Sequence, residues 1–236
     1  MEKSDPLALE DAQRLLGQCA LFRGLQDSER SALVARAHVR KFATGQNIFL
    51  MDSPGDSLMA VLSGNVRISV PSAEGKEIVL AILRPGEVLG EIAVLDGQGR
   101  TADAQAMTEC SLALLYRRDV LSFFERHPDA WPRLVDVLCE RLRATDQHIA
   151  EVALLELPAR LAKALLRMSA EQGSPARGAD IALTQRELGN IVGASRESVN
   201  KCLSDWQRRG IVRIEDNIIK VTNRSALTKY ADPGAE

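Results

Sequence analysis

A series of short β-forming runs constrains the fold of this 236-residue chain more than any other feature of its sequence. Between residues 41 and 116 the runs NIFL, LMAVLSG, NVRISV, EIVLAIL and ALLY follow one another at nearly even spacing. Turn-forming residues separate these runs at Ser53-Pro54-Gly55-Asp56, Ser63-Gly64-Asn65, Glu74-Gly75-Lys76 and Arg84-Pro85-Gly86-Glu87. Many short strands divided by turns of this kind predict an antiparallel sandwich or barrel.

A single long helix is predicted after the strands, from about residue 129 to residue 157. Apolar or small residues recur along it at the alternating spacing of three and four that forms the seam of a coiled coil. The seam residues are Val135, Leu138, Leu142, Thr145, Ile149 and Val152. Charged residues flank the seam, so we expect it to pair with a second copy of the chain. The alternative is packing of the helix against its own β-domain. Pro158 ends the helix and suits the first turn of the next one.

The two ends of the chain are predicted to be mainly helical. Residues 7–37 indicate short helices, one of which begins near Ser28 with Asp27 as its cap. The final stretch predicts helices as far as Gly210, followed by a hairpin of IVRI and IIKVT around a turn at 215–217. The predicted domains are a β-domain at 1–128, a dimerisation helix at 129–157 and a winged helix-turn-helix at 158–236.

The segment from Thr184 to Arg209 has the pattern of two helices joined by a tight turn. Thr184 and Glu187 match a capping box, Gly193 breaks the first helix, and Ser195 can cap the second. The residues predicted to be buried are Leu188, Ile191, Val192, Val199, Leu203 and Trp206. The exposed side of the second helix then carries Arg196, Glu197, Asn200 and Lys201.

Two helices of this kind form a helix-turn-helix, whose second helix enters the major groove of DNA. Arg can pair bidentately with guanine, and Glu can accept from the amino group of cytosine. Ser195, Ser198 and the helix N-terminus suit phosphate contacts, and Thr184 is included among the DNA-binding candidates. The alternative is an ordinary amphipathic helix pair in a bundle.

Residues 90–101, GEIAVLDGQGRT, form a long glycine-bearing insertion between predicted strands. A helical turn from Glu91 would point backbone N–H groups inward, while Arg100 would add a cation and Thr101 a hydroxyl. Together these groups suit one phosphate, and Glu91 would be an acceptor for sugar hydroxyls, which predicts a bound nucleotide. The alternative is a structural ion pair between Glu91 and Arg100.

Charge and composition restrict the class of protein. The net charge is −2, but residues 158–236 carry 13 basic and 9 acidic side chains, a net of +4 that leaves −6 for the remainder. Phosphate contacts are therefore expected in the C-terminal part. Cys19, Cys110, Cys139 and Cys202 have neither CxxC spacing nor a nearby His, so we expect buried, reduced thiols and no metal.

The sequence shows no sign of a membrane or secreted protein, nor of an enzyme. No apolar run approaches the roughly 20 residues of a membrane span, and the polar N-terminus has no signal-peptide pattern, so we expect a cytoplasmic protein. There is no P-loop, nucleophile elbow or HExxH motif, and His38, His127 and His148 are isolated. We therefore expect no enzymatic activity.

The chain resembles the Crp/Fnr superfamily of bacterial transcription regulators over nearly its whole length. In family order, the resemblance is carried by Pro54-Gly55-Asp56, Gly64, the PGE at 85–87, the GEIAVLDGQGRTA cassette, the long helix with Arg141 and Thr145, and IVGASRESVNK. It implies an α+β fold with an N-terminal antiparallel β-roll of the cyclic-nucleotide-binding, jelly-roll type, a long dimerisation helix and a C-terminal winged helix-turn-helix. It also implies a cyclic nucleotide as allosteric effector, a homodimer on palindromic double-stranded DNA, and RNA polymerase as a partner.

The resemblance assigns a role to each candidate ligand-binding residue. These residues are Gly90, Glu91, Ile92, Ala93, Arg100, Thr101, Arg141, Thr145 and Asp146. In relatives the Glu of the cassette binds the ribose 2′-hydroxyl, and the Arg and Ser/Thr at the positions of Arg100 and Thr101 hold the cyclic phosphate. Thr145 falls on the residue that contacts the base, and Asp146 falls where a side chain reaches across the dimer.

The resemblance also assigns the base-reading residues. Arg196, Glu197 and Lys201 fall on the family triplet Arg, Glu, Arg, which implies a palindrome with a TGTGA-like half-site. Lys201 departs from the triplet and weakens bidentate recognition of one guanine. The cysteine cluster of the iron–sulfur branch is absent, and no residue indicates haem.

The identity of the nucleotide stays open between cAMP and cGMP. For cAMP, Thr145 and Asp146 can both bond the adenine amine. For cGMP, Thr101 after the cassette Arg and an Asp on the closing helix resemble cGMP-selective channel domains. A third possibility is a ligand-independent regulator with an empty pocket, against which the intact Glu91, Arg100 and Thr101 argue.

Overall fold

The computed structural model describes residues 26–72, 77–171, 180–215 and 218–232, together with Cys19 and Phe22. The chain divides into two compact units, Met1–Arg143 and Ala144–Glu236. The predicted α+β architecture is confirmed, with two antiparallel sheets in the first unit and helices around a small sheet in the second.

In its described part, the first unit consists of strands, three short helices and the beginning of a long helix. The strands are β1 (His38–Phe42), β2 (Asn47–Phe49), β3 (Ser57–Ser63), β4 (Val66–Pro71), β5 (Glu77–Leu83), β6 (Val88–Leu89), β7 (Asp103–Ala106) and β8 (Cys110–Tyr116). The helices are α1 (Asp27–Val34), α2 (Glu91–Asp96), α3 (Arg117–Arg126) and the long α4 (Trp131–Leu154), which continues into the second unit.

Two four-stranded sheets, in the orders β1-β8-β3-β6 and β2-β7-β4-β5, enclose one part of the core. A second part of the core joins the outer face of the first sheet to helices, where Leu58 and Leu115 meet Phe123, Phe124 and Leu134. Strand β3 is covered on both faces, so its run SLMAVL is buried without the alternation typical of a half-exposed strand. The sequence signal of this strand is strong for that reason.

Strands β1, β6 and β7 were not recognised in the sequence. β7 has the sequence DAQA, which contains no β-branched or aromatic residue. β7 is a strand because it pairs with a strand on each side. Ala106 lies opposite Val66 of β4, and Gln105 lies opposite Asn47 of β2. The predicted turn at 74–76 lies outside the described residues.

Two predicted helix boundaries need correction. The long helix is α4, but it begins at Trp131 after a 3-10 turn at Pro128–Ala130 and ends at Leu154, within the predicted 129–157. Asp27 is not the cap of the first described helix but its first residue, preceded by Gln26. The backbone N–H of Gln26 donates to the Glu29 carboxylate at 2.8 Å. The other helices predicted within 7–37 lie outside the described residues.

The second unit surrounds the core residues Leu165, Leu188, Val199, Leu203 and Trp206. Its elements after α4 are α5 (Leu157–Glu171), β9 (Asp180–Ala182), α6 (Gln185–Val192), α7 (Arg196–Arg208), β10 (Val212–Glu215), β11 (Ile218–Val221) and α8 (Arg224–Ala231). The predicted hairpin is present as β10 and β11, although residues 216 and 217 of its turn are not described.

Strand β9 corrects the expectation of helix throughout 158–210. β9 pairs with β11 and makes the wing a three-stranded sheet. Helix α8 was not predicted either. It packs on the core through Leu227 and Ala231.

Candidate functional site

The cassette at 90–101 forms the predicted helical turn, α2, directly after β6. Gly90 precedes α2 with φ of +81°, a conformation that favours glycine. A Cβ at this position would collide with the Arg100 guanidinium and lie 2.9 Å from the Ser57 carbonyl oxygen. Only glycine therefore lets Arg100 approach the start of the helix so closely.

Arg100 is held inside the first unit, where its side chain is 3% exposed. Its Nη1 donates to the Gly90 carbonyl at 3.1 Å, and its Nη2 donates to Ser57 Oγ at 3.0 Å. The Phe49 ring lies under the guanidinium, 4.4 Å from Cζ to the ring centroid. Its Nε is buried and has no hydrogen-bond partner among the described residues.

Glu91 is buried beside this cation, with 2% exposure. Its Oε1 accepts from Arg141 Nη1, and Nη2 of the same arginine donates to the Val88 carbonyl. Its Oε2 is buried without a hydrogen-bond partner in the described part of the chain. The ion pair that Glu91 forms is thus with Arg141 of α4, and not the alternative pair with Arg100.

The electrostatics of the cassette favour an additional acceptor at Arg100. Burial lowers the pKa of the Arg100 guanidinium, and the carboxylates of Asp56 and Glu91 act in the opposite direction. A buried cation is stabilised by hydrogen bonds and by negative charge. The site combines a desolvated cation with a buried carboxylate oxygen for which the described residues supply no donor.

The remaining cassette residues differ in exposure. Ala93 is buried, and a Cβ on Gly55 would collide with its side chain, so the glycine of the predicted turn allows this contact. Ile92 is 40% exposed, and Thr101 is also exposed.

Two predicted ligand residues lie on the second-unit part of α4. Thr145 and Asp146 are exposed on that helix, so their assignment to the ligand remains a prediction.

Two residues of the cassette's surroundings were missed in the sequence. Ser57 is 3% exposed and accepts from Arg100, but it opens an apolar strand and looks like part of the turn before it. Phe49 belongs to the run NIFL, which indicates only a strand. A serine directly after the Pro-Gly-Asp turn is the one signal that could have drawn attention to Ser57.

The predicted helix-turn-helix caps are confirmed. The Glu187 N–H donates to Thr184 Oγ1 at 3.2 Å, and the Thr184 N–H donates to the Glu187 carboxylate at 2.7 Å. Gly193 ends α6 with φ of +64°. The Ser198 N–H donates to Ser195 Oγ at 3.2 Å, so Ser195 caps α7.

The exposed side of α7 carries the predicted DNA-contacting residues. Val199, Leu203 and Trp206 anchor its other side, each at most 1% exposed. The residues exposed at its N-terminal end are Ser195, Arg196, Glu197, Ser198, Asn200 and Lys201. The Thr184 hydroxyl donates to the Glu187 carboxylate at 2.8 Å and is thus engaged in the start of α6.

No disulfide bond joins the four cysteines; Cys19 and Cys110 are buried as predicted, whereas Cys139 and Cys202 are partly exposed. Burial raises the pKa of Cys202 on α7 to about 11, with Asp205 acting in the same direction. Its thiol is therefore protonated at neutral pH. Among the described residues, no group of His, Cys, Asp and Glu side chains could hold a metal ion.

Comparisons with known proteins identify the domains that contain the two candidate sites. Residues 39–127 match the cyclic nucleotide-binding domain family, and residues 159–230 match the Crp-like helix-turn-helix domain family. The chain is 32% identical over 220 residues to a CRP-like cAMP-activated global transcriptional regulator of Mycobacterium tuberculosis, covering 92% of this chain and 98% of that protein.

Two further relatives extend this agreement. The cyclic AMP receptor protein of Thermus thermophilus is 31% identical, with 89% of this chain and 96% of that protein covered. The structure of the c-di-GMP responsive global regulator CLP of Xanthomonas campestris matches with a TM-score of 0.74 at 25% identity, covering 83% of this chain and 99% of that one.

These relatives are transcription regulators, and neither domain family is enzymatic, in agreement with the expectation of no enzymatic activity. In the part of the chain that the structure describes, no helix has the length and apolar character needed to cross a membrane. The chain belongs to the Crp/Fnr family of transcription regulators, with a cyclic nucleotide-binding domain followed by a Crp-like helix-turn-helix.

Proposed function

We propose that the protein is a homodimeric regulator that binds palindromic DNA under the control of cAMP held at the 90–101 cassette. The observation that carries the ligand proposal is the pair of buried charges there. Arg100 retains a buried Nε, and Glu91 a buried Oε2, without partners among the described residues. A cyclic nucleotide supplies an anionic phosphate for the first and a ribose hydroxyl donor for the second.

The base of the nucleotide would be read from α4. Thr145 and Asp146 are exposed there, and both can accept from the adenine amine. The relatives named for cAMP favour adenine. The second candidate is cGMP, for which Asp146 would accept from the guanine N1–H and 2-amino group, with Thr101 bonding the amino group.

Side-by-side titration calorimetry with cAMP and cGMP tests the ligand proposal. We expect micromolar or tighter binding of cAMP, and c-di-GMP is included because the relative CLP is described as responsive to it. In the Asp146→Ser variant, a selective loss of cGMP affinity would support the guanine alternative. Binding of none of the three would identify a regulator whose pocket is empty or takes another effector.

The dimer would form along α4. Val135, Leu142 and Ile149 of the seam are 50%, 61% and 60% exposed in the single chain. Large apolar side chains exposed at coiled-coil spacing are stabilised when a second helix covers them. Pairing of two copies therefore explains this stripe of exposed residues.

The DNA contacts would come from α7. Arg196 suits a guanine, Glu197 a cytosine amine and Lys201 a second guanine or a phosphate. Ser195 and Ser198 at the helix N-terminus suit phosphate oxygens, and Asn200 lies between the base-reading residues on the same exposed side. The two α7 helices of a dimer must lie about 34 Å apart to enter successive major grooves of a TGTGA-like palindrome.

Control by the nucleotide would follow from differential affinity. A ligand shifts a conformational equilibrium only to the extent that it binds one arrangement better than the other. We expect cAMP to favour the arrangement of α4 in which the two recognition helices have the spacing of the palindrome. RNA polymerase is the partner through which a DNA-bound regulator of this family would act.

A further inference from the structure

The last turns of α4 contain a buried carboxylate that neither candidate site uses. Glu151 is 5% exposed, although its neighbours Ala150 and Val152 are exposed. Its Oε1 accepts from Arg167 Nη1 at 2.7 Å and from Gln147 Nε2 at 3.3 Å. A carboxylate removed from water needs such replacement donors, so the position of Arg167 on α5 is tied to that of Glu151 on α4.

This part of α4 has two different faces. At 3.6 residues per turn, Gln147 and Glu151 lie on the side of the helix away from the seam. The seam residue Ile149 is 60% exposed on the other side. One face is therefore apolar and open to a second copy of the chain, whereas the other is already bound to α5 of the same chain.

Further contacts join the end of α4 to the DNA-binding elements. Arg160 of α5 donates from Nη1 to the Val152 carbonyl at 3.3 Å, which satisfies one of the carbonyls that a helix end leaves unpaired. A Cβ built on Gly193 would lie 3.7 and 3.9 Å from the two γ-methyl carbons of Val152. Gly193 ends α6, so the helix end lies against the turn of the helix-turn-helix itself.

We propose that residues 147–154, the docking segment, are a positioning element that the Glu151–Arg167 ion pair fixes to the DNA-binding unit. Contacts within the chain place this segment in the second unit, whose boundary follows Arg143. When α4 moves along its seam, α5 and α6 then move with it. The connection at residues 155–156, between α4 and α5, does not bend to compensate for the movement. This signalling role rests on the proposed function, namely nucleotide control of DNA binding.

Hydrogen exchange of the full-length protein tests whether the ion pair holds the segment. In Glu151→Gln and in Arg167→Gln, amides of 147–154 should exchange about tenfold faster, with no further increase in the double variant. Amides of 131–143 should exchange as in the wild type. The control is Arg208→Gln, which removes an exposed ion pair with Asp205 in the same unit. Unchanged exchange at 147–154 in both single variants would overturn the proposal.

DNA affinity measured with and without saturating cAMP tests the signalling role. Allosteric coupling is commonly 5- to 150-fold. We therefore expect the ratio of the DNA dissociation constant without cAMP to the constant with cAMP to fall by about fivefold or more in either variant. The affinity for cAMP alone should stay within about twofold of the wild type, since neither residue belongs to the cassette. A residue with only a structural role would weaken DNA binding equally with and without cAMP, and an unchanged ratio would overturn the proposal.

The wild type separates this proposal from the proposed function. A wild-type ratio of one would overturn nucleotide control itself, and with it the signalling role of the docking segment. A wild-type ratio well above one that the variants retain would overturn the docking segment's role alone.

Discussion

Two buried side chains of opposite charge determine what the cassette can bind. Arg100 and Glu91 are each at most 3% exposed, yet they do not pair with each other. Ser57, Gly90 and Arg141 hold them apart, and each retains one polar atom without a protein partner among the described residues. Under the proposed function, an anion that also carries a hydroxyl donor would satisfy both atoms, whereas a simple anion would satisfy only Arg100.

Arg100→Gln should remove most of the affinity for the nucleotide. Losing one partner of a buried charge pair costs about 2–5 kcal/mol, so the dissociation constant for cAMP should rise about 30-fold or more. Calorimetry measures this change. Arg118→Gln is the matched control, because that side chain is 85% exposed in the same unit. If the Arg100 variant and the control bound cAMP with equal affinity, Arg100 would not be a ligand-binding residue.

We expect His148 to make the stability of the second unit depend on pH. Burial lowers the pKa of His148 below its ordinary 6.5; Glu151 acts to raise it, and Arg167 and Arg160 act to lower it. Well above pH 6.5 the imidazole is neutral in both the folded and the unfolded state and does not change the stability. As the pH falls below that value, the unfolded state takes up a proton that the folded state resists, so stability decreases.

Trp206 allows this dependence to be measured in the second unit alone. The chain has two tryptophans, and Trp131→Phe leaves Trp206, buried in the second core, as the only indole reporter. Urea unfolding in this background should show lower stability at pH 5.5 than at pH 7.5, and His148→Gln should lose less stability over the same interval. An identical loss in both proteins would contradict the assignment.

At the scale of elements, prediction succeeded where burial leaves a pattern in the sequence. The apolar run of β3 predicts a buried strand, and the capping residues Thr184 and Ser195 predict where α6 and α7 begin. The composition of β7 does not predict a strand, because the strands on either side of it determine its conformation. The same distinction applies to the cassette. Its glycines, Glu91 and Arg100 are recognisable, whereas Ser57 becomes part of the site only through a long-range contact of 43 positions.

The seam of α4 is an element whose role can be tested by one substitution. Ile149→Glu should dissociate the dimer, because two like charges would face each other across an otherwise apolar interface. Sedimentation equilibrium at micromolar concentration should give the monomer mass for this variant and twice that mass for the wild type. Ala150→Glu is the control, since Ala150 is exposed but lies off the seam. A dimeric Ile149→Glu protein would contradict the predicted interface.

At the scale of the whole molecule, the proposed function depends on free-energy coupling between the nucleotide-binding and DNA-binding domains. A hundredfold gain in DNA affinity requires the nucleotide to favour the DNA-binding arrangement by about 2.7 kcal/mol. Two or three charge-assisted hydrogen bonds at Arg100 and Glu91 can supply a difference of this size, if they form fully in one arrangement only. By linkage, DNA must raise the affinity for the nucleotide by the same factor.

Fluorescence anisotropy of the full-length protein with a TGTGA-like palindrome, with and without saturating cAMP, tests nucleotide control of DNA binding most directly. We predict that cAMP lowers the dissociation constant for the palindrome by about 10- to 100-fold, and that a scrambled duplex shows a much smaller change. Equal affinity for the palindrome with and without cAMP, in protein shown by calorimetry to bind the nucleotide, would contradict nucleotide control of DNA binding.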